Sequence, residues 1–194
     1  QRLPDHAKAT VPTHVWDLGR SSAGIAVRFT TKADRVEARW DLTSGSLAMP
    51  HMPATGVSGL DLYVCDGNPG TWRFVQNARP SSQLTNTAQF RLGSNSIARE
   101  YLLYLPLYNG VTRLALGVDS AFTLDAIPVN GAASSRKPIA IYGTSIVQGG
   151  CASRPGLAWP AILGRHTDRP VINLGFSGAG RMEPAVVDVL AELD

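Results

Sequence analysis

Residues 137–150 read KPIAIYGTSIVQGG. Ile139 to Tyr142 is a short apolar run of the kind that forms a strand buried on both faces, and Gly143 turns it. Thr144 and Ser145 come next, then Ile146 and Val147, then Gln148 and two glycines. A serine just past the carboxyl end of such a strand stands where open α/β sheets place their chemistry. Downstream, GLAWPAILGR (Gly156 to Arg165) has amphipathic helical spacing, with Pro160 marking a helix start or a kink. VINL (Val171 to Leu174) is a second apolar strand. NLGFSGAG (Asn173 to Gly180) ends in a glycine-rich turn. EPAVVDVLAEL (Glu183 to Leu193) is a helix with Glu183 and Pro184 at its start. Strand, helix, strand, helix is one βαβ unit and the beginning of another.

Upstream the period is two, not 3.6. GIAVRFTT (Gly24 to Thr31) and RVEARWDL (Arg35 to Leu42) alternate apolar and polar residues around a turn at Lys32 to Asp34. LDLYVCD (Leu60 to Asp66) and TWRFVQNA (Thr71 to Ala78) flank Gly67 to Gly70, a hairpin signal. Gln89 to Leu92, Glu100 to Leu107, Thr112 to Asp119 and Phe122 to Val129 come after these, with Asn109-Gly110 as a tight turn. About eight short strands at this spacing predict a β-sandwich over residues 1–133. No helical period is read in this half. Residues 1–12, polar with two prolines, read as a poorly ordered lead-in. GAASSR (Gly131 to Arg136) reads as a linker. Residues 137–194 then form the first part of an α/β three-layer domain. Two parallel strands are too few for a complete sheet, so the rest is expected from sequence beyond Asp194 or from a second chain. The edge beside Val171 to Leu174 is expected to pair.

Composition narrows the function classes. The chain has 194 residues, 44% hydrophobic and 17% charged, as a globular protein with a real core has. Its 18 Lys and Arg give a net charge of only +3 and are scattered, which is no nucleic-acid footprint. No apolar run approaches a membrane span. No metal-ligand spacing or cofactor motif is present: the glycines after Ser145 are not followed by Gly-Lys-Ser/Thr, as a P-loop requires. Cys65 and Cys151 fall in different halves and read as separate thiols. The chain begins at Gln1, and removal of a leader or tag is the expectation.

Ser145 has two readings. It caps a helix, or it is a nucleophile whose negative charge in the transition state is stabilised by a helix N-terminus. The spacing is not the G-x-S-x-G elbow. Residues 173–180 also read two ways: a tight βα turn, or a loop whose N–H groups point at an oxyanion. Two such loops at the carboxyl ends of parallel strands converge on one crevice.

YGTSIVQGG, then AWPAIL, then VINLGFSG resembles the SGNH/GDSL hydrolase family, whose hydrolase domain is an α/β three-layer, flavodoxin-like fold. The resemblance implies that Ser145 is the nucleophile and Gly178 an oxyanion donor, with the Ser145 N–H as a second. Asn173 and Ser177 match the supporting residues of the second block. GVSGLDLYV (Gly56 to Val64) resembles the Gly-x-Asp-Leu-Tyr signature of a β-sandwich found in front of one GDSL-like branch of carbohydrate- or small-ester-directed esterases, often exported. Thr144 stands where Asp is usual and Ile146 where Leu is usual. The third block, with an oxyanion Asn, and the last block, with the catalytic Asp and His, are missing. His6, His14 and His166 read as surface or loop residues.

His51 lies in LAMPHMPATGVSG. This loop either packs under the sandwich or reaches the crevice, where Met49, His51 and Met52 would line the acyl or alcohol pocket. Trp16, Trp40 and Trp72 read as strand residues of the sandwich core rather than sugar platforms. The expected function is a serine esterase for small, acetyl-type esters on a carbohydrate. The alternatives are a glycan-binding piece without turnover and a transferase using the same site.

Overall fold

The structure is a computed structural model and describes residues 1–67, 71–94, 96–127 and 137–193. The Asn68 to Gly70 part of the expected hairpin and the expected linker at 131–136 lie outside the described residues.

Eight strands form the sandwich: β1 (Ala26–Thr31), β2 (Arg35–Leu42), β3 (Leu60–Cys65), β4 (Trp72–Ala78), β5 (Asn86–Arg91), β6 (Arg99–Tyr104), β7 (Val111–Gly117) and β8 (Leu124–Ala126). One sheet has the order β4-β3-β6-β1-β8 and the other β5-β2-β7, all antiparallel. The turn at Lys32 to Asp34 therefore carries the chain between sheets. Phe29, Val36, Trp40, Leu62, Phe90, Tyr101 and Leu103 fill the space between them, and Phe29 stacks on Tyr101.

Strand β3 joins the sandwich to the α/β part of the chain. Leu60, Leu62 and Val64 point into the sandwich core. By the alternation of a strand, Asp61 and Tyr63 point the other way. They are nevertheless buried, because the α/β part covers that face.

The α/β part comprises β9 (Ile139–Gly143), α3 (Ser145–Gln148), α4 (Trp159–Thr167), β10 (Val171–Gly175) and α5 (Pro184–Ala191). Strands β9 and β10 are parallel, with Gly143 opposite Gly175. Pro160 sits in the first turn of α4, where its missing N–H costs nothing. Glu183 is the residue before α5. Neither strand has another strand partner among the described residues.

The amino-terminal segment departs from its expected disorder. Residues 1–12 are not a loose lead-in: a 3-10 turn spans Asp5–Ala9, and α1 (Thr13–Gly19) comes after it. Leu3, Ala7, Val11 and Val15 recur every four residues and are buried against Leu174, Phe176, Val186 and Val189. That spacing is a helical face. The segment is a cover for the two-stranded sheet. The absence of helical period in the first half also fails at α2 (Ala54–Val57), one turn after Pro53. Trp16 lies on α1, not on a strand.

No helix among the described residues is long and apolar enough to cross a membrane. No disulfide joins Cys65 and Cys151.

Candidate active site

Two loops meet at the carboxyl ends of β9 and β10. Strand β9 ends at Gly143, Thr144 is extended, and α3 begins at Ser145. Strand β10 ends at Gly175, beside the backbone of α3. A Cβ on Gly175 would overlap the Gln148 backbone nitrogen, so only glycine allows this approach. The Phe176 N–H donates to the Gly143 carbonyl at 2.8 Å, which extends the pairing of the strands one step into the loops.

The N–H groups of the second loop can be accounted for one by one. Gly175 donates to Asn173 Oδ1 (2.9 Å), Ser177 to Gln148 Oε1 (2.9 Å) and Ala179 to the Phe176 carbonyl (2.9 Å). Gly180 and Arg181 donate to the Glu183 carboxylate. Met182 and Glu183 donate to the Tyr142 hydroxyl. Gly178, exposed and at φ +76°, is the one residue from 175 to 183 whose N–H has no acceptor among the described residues. The Ser145 N–H likewise has none, as the first residue of a helix is expected to. Backbone donors left open at a crevice are what an oxyanion requires.

Side chains hold this arrangement in place. Asn173 is buried, and its Nδ2 donates to the Val147 carbonyl at 2.8 Å. Arg2 donates five hydrogen bonds: to the carbonyls of Leu18, Ser21, Asn173 and Gly175, and to Ser21 Oγ. Burial lowers its guanidinium to about 10, which still leaves it charged at neutral pH. The Tyr108 hydroxyl, from the sandwich, donates to the Ser145 carbonyl at 3.3 Å and also bonds the Ser177 side chain. Burial pushes the Glu183 carboxyl up, but the Tyr142 hydroxyl and the N–H groups of Glu183, Arg181 and Gly180 outweigh it and hold the carboxyl below its usual range.

The signature Gly59-Leu60-Asp61-Leu62-Tyr63 acts at the junction of the two parts. Asp61 is fully buried. Both its oxygens accept from Arg154 Nη1 (3.1 and 3.0 Å), and Oδ2 also accepts the Gly156 N–H at 2.7 Å. Arg154 reaches the Tyr63 hydroxyl at 2.7 Å and stacks on Phe74. Arg165, from α4, lies over the Tyr63 ring and donates to the Gly156 carbonyl. Burial pushes the Asp61 carboxyl up, with Arg154 and the Gly156 N–H pulling the other way. Burial also pushes the Tyr104 hydroxyl up, to about 12. The segment after the Ser145 turn is thereby fastened to β3.

The Tyr108 hydroxyl joins Ser145 to Ser177, Asn173 bonds the Val147 carbonyl of the Ser145 turn, and Gly178 follows Ser177 in the chain. The residues expected to line the pocket share one tight turn, in which Met49 and Met52 exchange backbone hydrogen bonds (3.0 and 3.1 Å). Met52 is buried against Val57, Leu107 and Ala158. Met49 lines a groove of about 570 Å³ together with Asp17, Arg20, Thr43, Tyr108 and Gln148. His51 is exposed on the turn between the two methionines. No histidine bonds Ser145 among the described residues. His6 pairs with Glu192 on the surface. Sequence reasoning missed Arg2, Tyr108 and Gln148. Each acts through partners distant in the chain, and only the helical spacing of residues 3–15 hinted that Arg2 was anchored.

A β-sandwich followed by a parallel βα pair is the arrangement with which the SGNH-type hydrolase fold begins, and the comparisons with known proteins agree. Residues 1–124 match the family described as the GxDLY N-terminus of SGNH-hydrolase-type esterases, and residues 136–194 match the GDSL-like lipase/acylhydrolase family. The chain belongs to this GDSL-like, SGNH-type esterase family. Among solved structures, a GDSL-like lipase from Bacteroides ovatus superposes with a TM-score of 0.88 at 35% identity, over 100% of this chain and 55% of that one. A salicylyl-acyltransferase from a tetracycline biosynthetic pathway matches at 20% identity and a TM-score of 0.76, over 99% of this chain and 51% of that one. A family two carbohydrate esterase from Clostridium thermocellum, in complex with cellohexaose, matches at 16% identity and 0.55, over 87% and 51%. These last two are likenesses of fold. No curated protein matches the chain significantly. The chain spans about half the length of the solved structures it matches.

Proposed function

We propose that the protein is a serine esterase that removes small acyl groups, acetyl above all, from a hydroxyl-rich alcohol such as a carbohydrate. Ser145 Oγ attacks the ester carbonyl. The N–H groups of Ser145 and Gly178 receive the oxyanion, joined by a third donor from the family's Asn. A serine hydroxyl needs a general base to be nucleophilic. That histidine and its acid belong to the part of the family's length that this chain does not span, on the same polypeptide or on a second chain. The observation that carries this reading is the pair of open N–H groups at the ends of β9 and β10.

The groove beside Tyr108 supports the substrate class. Asp17, Arg20, Thr43 and Tyr108 give it polar walls around Met49, which suit a polyhydroxylated leaving group better than a long acyl chain. In the same reading Met49 contacts the alcohol, His51 borders the groove's rim, and Met52 supports it from below. A substrate among extracellular polysaccharides requires an exported enzyme, so export accompanies the proposal.

The test uses the complete protein on p-nitrophenyl acetate, p-nitrophenyl octanoate and an acetylated xylo-oligosaccharide. Acetate is expected to exceed octanoate in kcat/KM by at least about tenfold, since a pocket that excludes the extra methylenes discriminates by roughly 1–3 kcal/mol. Release of acetate from the oligosaccharide is expected as well. A preference for octanoate contradicts the substrate class.

A further inference from the structure

We infer that Gln148 is a positioning residue whose side-chain amide fixes the Gly178 loop against the Ser145 turn and anchors both to the sandwich. The inference rests on the esterase reading above. Gln148 is the last residue of α3, a helix of four residues, and is 1% exposed. Its Oε1 accepts the Ser177 N–H at 2.9 Å, and its Nε2 donates to the Leu107 carbonyl at 3.1 Å and to Ser21 Oγ at 3.3 Å. The orientation of the amide is dictated by its partners. The Ser177 N–H can only donate and the Leu107 carbonyl can only accept, so a flipped amide would set donor against donor and acceptor against acceptor.

Ser177 and Gly178 carry consecutive peptide units. Holding the Ser177 N–H on Gln148 fixes the Phe176–Ser177 peptide plane, so that only the two Ser177 torsions separate a held plane from the one that carries the open Gly178 N–H. In addition, a single helical turn does not hold its own orientation. The position of Ser145 relative to the loop depends on tertiary bonds, and Gln148 makes three of them from within the same turn as the nucleophile. The anchor at its other end is the sandwich segment Leu107–Tyr108. Leu107 lies close against Gly149, and the Tyr108 hydroxyl donates to the Ser145 carbonyl. The sandwich thus braces the turn that carries Ser145.

The test compares Gln148→Met and Gln148→Glu with wild type in the complete enzyme, on p-nitrophenyl acetate, with active sites counted by a covalent phosphonate. Met keeps the volume and loses every hydrogen bond. Glu keeps the acceptor for Ser177 and loses the donor to Leu107. Misplacing one oxyanion donor costs on the order of 10²-fold. Gln148→Met is therefore expected to lower kcat per titrated site by about 10- to 100-fold, with KM within about threefold of wild type. Affinity for a boronic acid that mimics the tetrahedral adduct is expected to fall by the same factor as kcat. Gln148→Glu is expected to lower kcat by about tenfold at unchanged KM, and it decides the matter if Gln148→Met does not fold. Wild-type kcat per titrated site, with the loss confined to the number of active sites or to KM, overturns the inference. Ser145→Ala in the same assay separates the two claims. If it turns over at the wild-type rate, the esterase reading fails. If it is inactive while the Gln148 variants keep wild-type kcat, only the positioning role fails.

Discussion

Ser145→Ala in the complete protein is expected to reduce hydrolysis of p-nitrophenyl acetate by about 10⁴-fold or more, because loss of the nucleophile disables the covalent route and leaves only binding and oxyanion stabilisation. The substitution removes one hydroxyl oxygen from a half-buried position. That hydroxyl has no hydrogen-bond partner among the described residues. Stability is therefore expected to change little, and the melting temperature measured alongside distinguishes loss of chemistry from loss of fold. The alternative, that Ser145 merely caps α3, makes the opposite demand. A cap is worth about 1 kcal/mol and would leave turnover in place. The structure already argues against it, because the residue at the cap position is Thr144 and no side chain caps the helix.

Asp61→Ala is expected to destabilise the protein by about 3–5 kcal/mol, because it strands Arg154 and leaves the Gly156 N–H without its acceptor inside the junction. Asp61→Asn retains a carbonyl oxygen for Gly156 and is expected to cost less, about 1–3 kcal/mol. Chemical unfolding of the two variants beside wild type measures both. Arg154 is bound on three sides, by Asp61, Tyr63 and the Phe74 ring, so its own relaxation into solvent offsets little of the loss. Equal, near-wild-type stability in both variants would mean that the aspartate of the signature does not fasten the sandwich to the α/β part.

The strands were legible because the sandwich is buried on one face over most of its length, and alternation records that. Arg35 to Leu42 is read and observed with the same bounds. Strand β3 is the exception: Leu60 to Val64 is buried on both faces, so its sequence does not tell which face meets the core. The role of Asp61 and Tyr63 depends on the element that covers the second face. The turns that carry Ser145 and Gly178 were legible because their blocks are local, each a short apolar strand followed by a glycine-containing loop. Gln148, Tyr108 and Arg2 were not. Gln148 draws its partners from positions 21, 107 and 177, and no spacing announces such a triangle. The amino-terminal segment was misread for a different reason. Two prolines and polar residues masked a four-residue period whose apolar positions are few and small. Met49, His51 and Met52 belong to one loop, and sequence proximity alone does not show that a tight turn buries Met52 and leaves His51 exposed.

The most direct test of the central claim is to treat the complete enzyme with a fluorophosphonate and locate the adduct by peptide mass spectrometry. A single adduct on Ser145, blocked by prior incubation with an acetyl ester or a boronic acid and absent in Ser145→Ala, is the expected result. Stoichiometric labelling of another serine, with activity lost in parallel and Ser145 unmodified, would contradict the account.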